Sequence, residues 1–124
     1  MAVHRRIYLR GNGQTVGAAV VTLAAFRMPI DHSFSVTSDA VVRVLGGAND
    51  GVSNRIRREA TVRDIGGVKT IEAQTVPARL GAPLLVTDLI TYTLSGAFVL
   101  LDATGVAGET LDWMSWSRLL LFQP

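Results

Sequence analysis

A chain of 124 residues has room for one domain, residues 1–124, and enough interior to fold without disulfides or metal. It is 48% hydrophobic and only 18% charged, against about 25% charged in an average domain, which excludes a disordered chain. The absence of cysteine excludes disulfide frameworks, thiolate metal sites and cysteine nucleophiles, and a net charge of +2 without a dense basic run argues against nucleic acid as a partner.

Val, Ile and Thr together make up 32 of the 124 residues, and twelve glycines punctuate the chain at short intervals. Short β-rich runs between turn signals predict an all-β, jelly-roll-like sandwich of about eight strands. The first strand is expected from His4 to Arg10, ended by Gly11-Asn12-Gly13 and preceded by a short flexible N-terminus. The second runs from Ala18 to Arg27, up to Pro29. The third covers Ser33 to Leu45 and stops at Gly46-Gly47; Asp50-Gly51 then marks a turn. The fourth covers Arg55 to Ile65, ended by Gly66-Gly67, and the fifth Val68 to Thr75. The sixth is placed at Leu84 to Thr93, the seventh at Gly96 to Ala103 and the eighth at Thr110 to Phe122. A helical reading survives only for Ala18 to Ala25 and Leu80 to Thr93, where Val20-Val21-Thr22, and Gly81 and Pro83, oppose it.

Alternation fixes faces. Val36, Ser38, Ala40, Val42 and Val44 share one side of the third strand, and Thr37, Asp39 and Arg43 the other. Ala60 and Val62 likewise oppose Glu59, Thr61 and Arg63. The last two strands break this rule: Phe98 and Leu100 oppose Val99 and Leu101, and Leu120 and Phe122 oppose Leu119 and Leu121. Two apolar faces need two covers. Either these strands lie centrally beneath a long loop, or a second copy of the chain covers them at Phe98, Leu100, Trp116, Leu119, Leu120, Leu121 and Phe122. The mean hydropathy of +0.33 also asks for such a cover, since no apolar run approaches the roughly 18 residues of a membrane helix, and no membrane partner is expected.

The residues assemble no catalytic set, so neither enzyme activity nor a cofactor is expected. His4 and His32 lack a second histidine at ligand spacing. Asp31-His32-Ser33 holds the residue types of a hydrolase triad, but a triad converges from separate elements. Gly11 to Gly17 misses the dinucleotide fingerprint by one residue and precedes β-branched residues instead of a helix. Asp102, Glu109 and Asp112 read as solvated turn acids, and Asn49-Asp50-Gly51 lacks the further oxygens of a calcium loop. Trp113 and Trp116, three apart in a strand, face opposite sides, so one belongs to the core and the other to a surface or an interface.

Three segments carry a resemblance: Gly11-x-Gly13-x-Thr15-x-Gly17, Arg57-x-x-Ala60-Thr61-Val62-Arg63-x-x-Gly66-Gly67, and Thr104-Gly105-x-Ala107-Gly108-x-Thr110-x-x-Trp113. In this order they resemble the single β-sandwich modules of tailed-bacteriophage virions, over roughly residues 7–122. The resemblance implies a homotrimer located on the virion, as a capsid decoration (cement) protein or a distal tail-fibre domain. Strands that begin close to Met1, with no long anchor before them, favour decoration. A cement protein would grip the major capsid protein through Arg55, Arg57, Arg58 and Arg63, with Arg5 and Arg6 of the N-terminus reaching neighbours. The alternative is a tail-fibre tip that contacts host surface glycan through Trp113 or Trp116 with Asp102, Glu109 and Asp112.

Overall fold

The computed structural model describes residues 3–81 and 89–123. Among these residues, nine antiparallel strands form two sheets: β1 (Val3–Val16), β2 (Val20–Arg27), β3 (Ser33–Val44), β4 (Ser53–Ile65), β5 (Val68–Gln74), β6 (Ala78–Gly81), β7 (Leu89–Ser95), β8 (Phe98–Thr104) and β9 (Thr110–Gln123). The larger sheet has the order β1-β9-β3-β4-β5, with β6 also paired to β4; the smaller has the order β2-β8-β7. The expected all-β sandwich is therefore present, divided six strands to three.

The core lies between the sheets and is built by alternation. Val36, Ala40, Val42 and Val44 of β3, Ile56 and Val62 of β4, and Leu111, Trp113 and Leu119 of β9 face Ile90, Tyr92, Val99 and Leu101 of the smaller sheet, all buried. Leu119 and Leu121 are core residues, which removes them from any subunit interface. Phe26 and Phe34 pack edge to face, with ring centroids 6.4 Å apart.

Buried polar groups are paired. Tyr92 donates its hydroxyl toward Ser38 Oγ (2.7 Å) and the Arg58 carbonyl, and Ser38 joins Ser117 at 2.7 Å. Burial pushes the Tyr92 phenol up to about 12, with the Ser38 hydrogen bond acting in the opposite direction. Side chains of the larger sheet also close one edge of the smaller one. Gln74 donates to the Tyr92 carbonyl and accepts from its N–H, as a neighbouring strand would, and Arg58 donates to the Ile90 carbonyl at 2.9 Å.

Two expectations fail for identifiable reasons. The first strand runs through Gly11-Asn12-Gly13 to Val16, because these glycines face inward where β2 crosses. A Cβ on Gly11 would stand 2.0 Å from the Leu23 carbonyl oxygen. They serve a close approach, and the turn comes at Gly17, at φ +66°. The second concerns Arg5 and Arg6, expected in a flexible N-terminus: they lie in β1, opposite Leu121 and Leu120, and residues 1 and 2 lie outside the described residues. The sixth expected strand appears as β7, from Leu89; residues 84–88 lie outside the described residues. The short β6 was not anticipated.

The β4–β5 hairpin is held by Asp64, whose side chain has no solvent exposure. It meets Lys69 Nζ at 2.9 Å and accepts the Gly67 N–H at 2.8 Å and the Asp31 N–H at 3.1 Å. The Lys69 hydrogen bond holds the carboxyl below its ordinary 3.8, burial opposes it, and the two backbone donors add to the lowering. A lowered folded value means that this contribution to stability is complete above the unfolded value near 3.8 and is lost as pH falls through the folded one. Asp64→Asn should therefore lower the melting temperature at pH 7 and flatten its decline below pH 4. An unaltered acid limb would assign the acid sensitivity to other carboxylates.

Candidate functional site

The outer face of the larger sheet carries a dense arrangement of exposed functional groups. Register places its residues in rows that cross four strands. One row is Arg10, Trp116, Asp39 and Arg57; the adjacent row is Tyr8, Arg118, Thr37 and Glu59; the next is Arg6, Leu120, Ser35 and Thr61. Side chains directly opposite in such rows stand about 5 Å apart at Cβ, within contact distance for groups of this length.

A cleft of about 540 Å³ opens on this face, bordered by Tyr8, Arg10, Thr37, Asp39, Arg57, Trp116 and Arg118. This volume lies in the range of small-ligand sites. Trp116 is 41% exposed and Tyr8 is 68% exposed, so aromatic surface is offered to solvent beside polar groups. A second cleft of about 300 Å³ adjoins it, bordered by Arg6, Ser35, Thr37, Arg118 and Leu120. Thr37 and Arg118 border both, so the two clefts lie side by side along the strands.

Asp39 is the one acid bordering either cleft among the described residues, and it is engaged. Its Oδ1 lies 3.3 Å from both Arg55 Nη2 and Arg57 Nε, and its Oδ2 accepts from Arg57 at 3.3 Å. Arg63 is 3.8 Å from Glu72. Arg6, Arg10 and Arg118 form no ion pair among the described residues.

The residues singled out in the sequence are distributed differently than expected. Trp113 is 1% exposed and gives its indole N–H to Thr15 Oγ1 at 3.0 Å, so it is no platform; Trp116 is the exposed one. Asp102 belongs to the smaller sheet, where it accepts hydrogen bonds from Thr22 and Thr93, both at 2.8 Å, far from Trp116. Glu109 accepts from Asn49 in a loop contact, and Asp112 lies across from Arg43, beyond Met114 from Trp116. Arg58 leaves the expected basic cluster because it points inward, where burial lowers its pKa and two carbonyls accept from it. Arg55, Arg57 and Arg63 share the outer face.

The remaining interface candidates divide as well. Phe98 and Leu100 are on the outer face of the smaller sheet, while Trp116, Leu120 and Phe122 are on that of the larger. They form two separate patches. Asp31 and His32 are structural: Asp31 accepts the Gly66 N–H, and His32 Nδ1 is 2.8 Å from the Ile30 carbonyl. Among the described residues, no group of His, Asp and Glu is placed to hold a metal, and no helix is long and apolar enough to cross a membrane.

Tyr8, Arg10, Asp39 and Arg118 were missed as site residues. Alternation marks them as outward, but the pairing of residue 10 with residue 116 is a matter of register, and no local pattern carries it.

No family model and no curated protein matches this sequence. Solved structures do share its fold. The tailspike protein of Acinetobacter baumannii phage AM24 superposes with a TM-score of 0.52 at 11% identity, over 97% of this chain and 26% of the tailspike. The tailspike of Acinetobacter phage vB_ApiP_P1 gives 0.52 at 17% identity, over 92% of this chain and 20% of that protein. A weaker likeness, 0.46 at 12% identity over 98% of this chain and 18% of the other, links it to gp49 of Acinetobacter baumannii phage Fri1, described as a capsular polysaccharide depolymerase. The chain thus spans about a quarter or less of the tailspikes it resembles.

Proposed function

We propose that the chain is a β-sandwich module of a phage tail spike or fibre, and that it contacts host surface saccharide through the Trp116 cleft. The observation that carries the reading is the exposed indole of Trp116, set between Arg10 and Asp39 in a cleft of about 540 Å³. A flat aromatic face stacks against the C–H face of a sugar ring, while Arg10, Thr37 and Arg57 offer donors to its hydroxyls. The two tailspikes that share the fold favour a tail role over capsid decoration. Homotrimeric assembly belongs to the same proposal, with Phe98 and Leu100, on the outer face of the smaller sheet and clear of the clefts, at the contact.

Trp116→Ala tests the reading. A central aromatic anchor contributes about 2 kcal/mol or more, so the variant should lose at least about tenfold in binding on a bacterial glycan array and in adsorption to cells. Undiminished adsorption overturns the cleft as the contact. Binding to purified capsids, with none to cells or glycans, returns the role to decoration through Arg55, Arg57 and Arg63.

A further inference from the structure

We infer that the groove selects an acidic saccharide chain, with a sugar ring on Trp116 and an anionic substituent held between Arg10 and Arg118; this rests on the saccharide reading above. The argument is one of charge and register. Arg118 stands opposite Tyr8, so Arg6 and Arg10 are both its diagonal neighbours across the β1–β9 pair. Diagonal positions lie about 7–8 Å apart at Cα, within the joint reach of two arginine side chains on one carboxylate.

None of these three guanidiniums has an acid partner among the described residues, while Asp39 is already shared by Arg55 and Arg57. Three like charges side by side repel one another in the free protein, and an anion relieves that repulsion. Each guanidinium presents a planar fork that matches a carboxylate, and charge-assisted bonds of this kind are about twice as strong as neutral ones.

The groove also has length. Trp116 and Leu120 are four residues apart on β9, about 13 Å at the rise of a strand, and the two clefts beside them adjoin at Thr37 and Arg118. Such a span suits consecutive units of a chain, with a second anionic group within reach of Arg6.

The test uses purified bacterial surface polysaccharides, each printed in its native acidic form and in a carboxyl-reduced form. The intact protein should bind the acidic form at least tenfold more tightly, and moderate salt should remove most of that difference. Arg10→Gln with Arg118→Gln should bring the acidic form down to the level of the reduced one, with an unchanged melting temperature because both side chains are exposed. Trp116→Ala should weaken both forms. Equal binding of the two forms, unaffected by the arginine changes, overturns the acidic preference and leaves the saccharide reading standing. Binding of a single-stranded oligonucleotide as tight as that of the polysaccharides, and indifferent to Trp116→Ala, makes the face a general polyanion surface and also overturns it. Failure of every polysaccharide in both forms removes the saccharide reading itself.

Discussion

Gly11→Ala should lower the melting temperature by about 10–20 °C, the largest effect expected of any single methyl group in this fold. The added Cβ would lie 2.0 Å from the Leu23 carbonyl oxygen, 2.7 Å from its carbon and 2.8 Å from Ser115 Oγ. Two of these three atoms are backbone, so no rotamer change makes room. Strand β1 must move away from β2 or lose register with β9, and overpacking of this kind costs about 3 kcal/mol or more. A domain of this size is stable by only about 5–15 kcal/mol. Gly17→Ala is the natural comparison. Its Cβ meets nothing within 4 Å, but its φ of +66° is unfavourable for a side chain, so it should cost about 1–2 kcal/mol. Circular dichroism melts of the two variants would measure the difference. Equal shifts would show that β1 and β2 are not in backbone contact.

The second large effect separates the two tryptophans. Trp113→Ala should destabilise the fold by about 3–5 kcal/mol, because a side chain 1% exposed leaves a cavity and its bond to the buried Thr15 hydroxyl is lost. Trp116→Ala should change stability by no more than about 0.5 kcal/mol. Urea unfolding, read as a change of midpoint at constant slope, makes the comparison. A larger loss at Trp116 than at Trp113 would mean that β9 is turned the other way, and that the face assigned to binding is the core.

This pair also shows what was legible in the sequence. Three-residue spacing in a strand was enough to put the tryptophans on opposite faces, but not to say which was buried. That depends on whether Trp113 shares a face with Leu111 and Leu119, and on which sheet receives them. The inward set of β3, from Val36 to Val44, could be read directly because every second residue is small or apolar. Arg58 could not: its chain neighbours Arg55, Arg57 and Arg63 suggest one basic surface, whereas parity places it with Ile56's face, and the carbonyls it needs come from Thr75 and from Ile90 of β7. The Gly11-Asn12-Gly13 segment misled in another way. Glycine marks both turns and close approaches, and what distinguishes them here is Leu23, on a different strand. The site had the same difficulty. Arg10, Trp116 and Asp39 come from three strands, and their meeting depends on pairings across distant parts of the chain.

The strict inward–outward alternation of β1, β3, β4 and β9 has a consequence for how such a protein changes. The residues that decide whether it folds and those that decide what it touches occupy the same strands but never the same positions. Exchanges at Arg10, Trp116, Arg118 or Thr37 leave Leu111, Trp113 and Val36 with the neighbours they had. A lineage carrying this fold is thus free to revise its outer face one residue at a time, with the scaffold beneath it held constant.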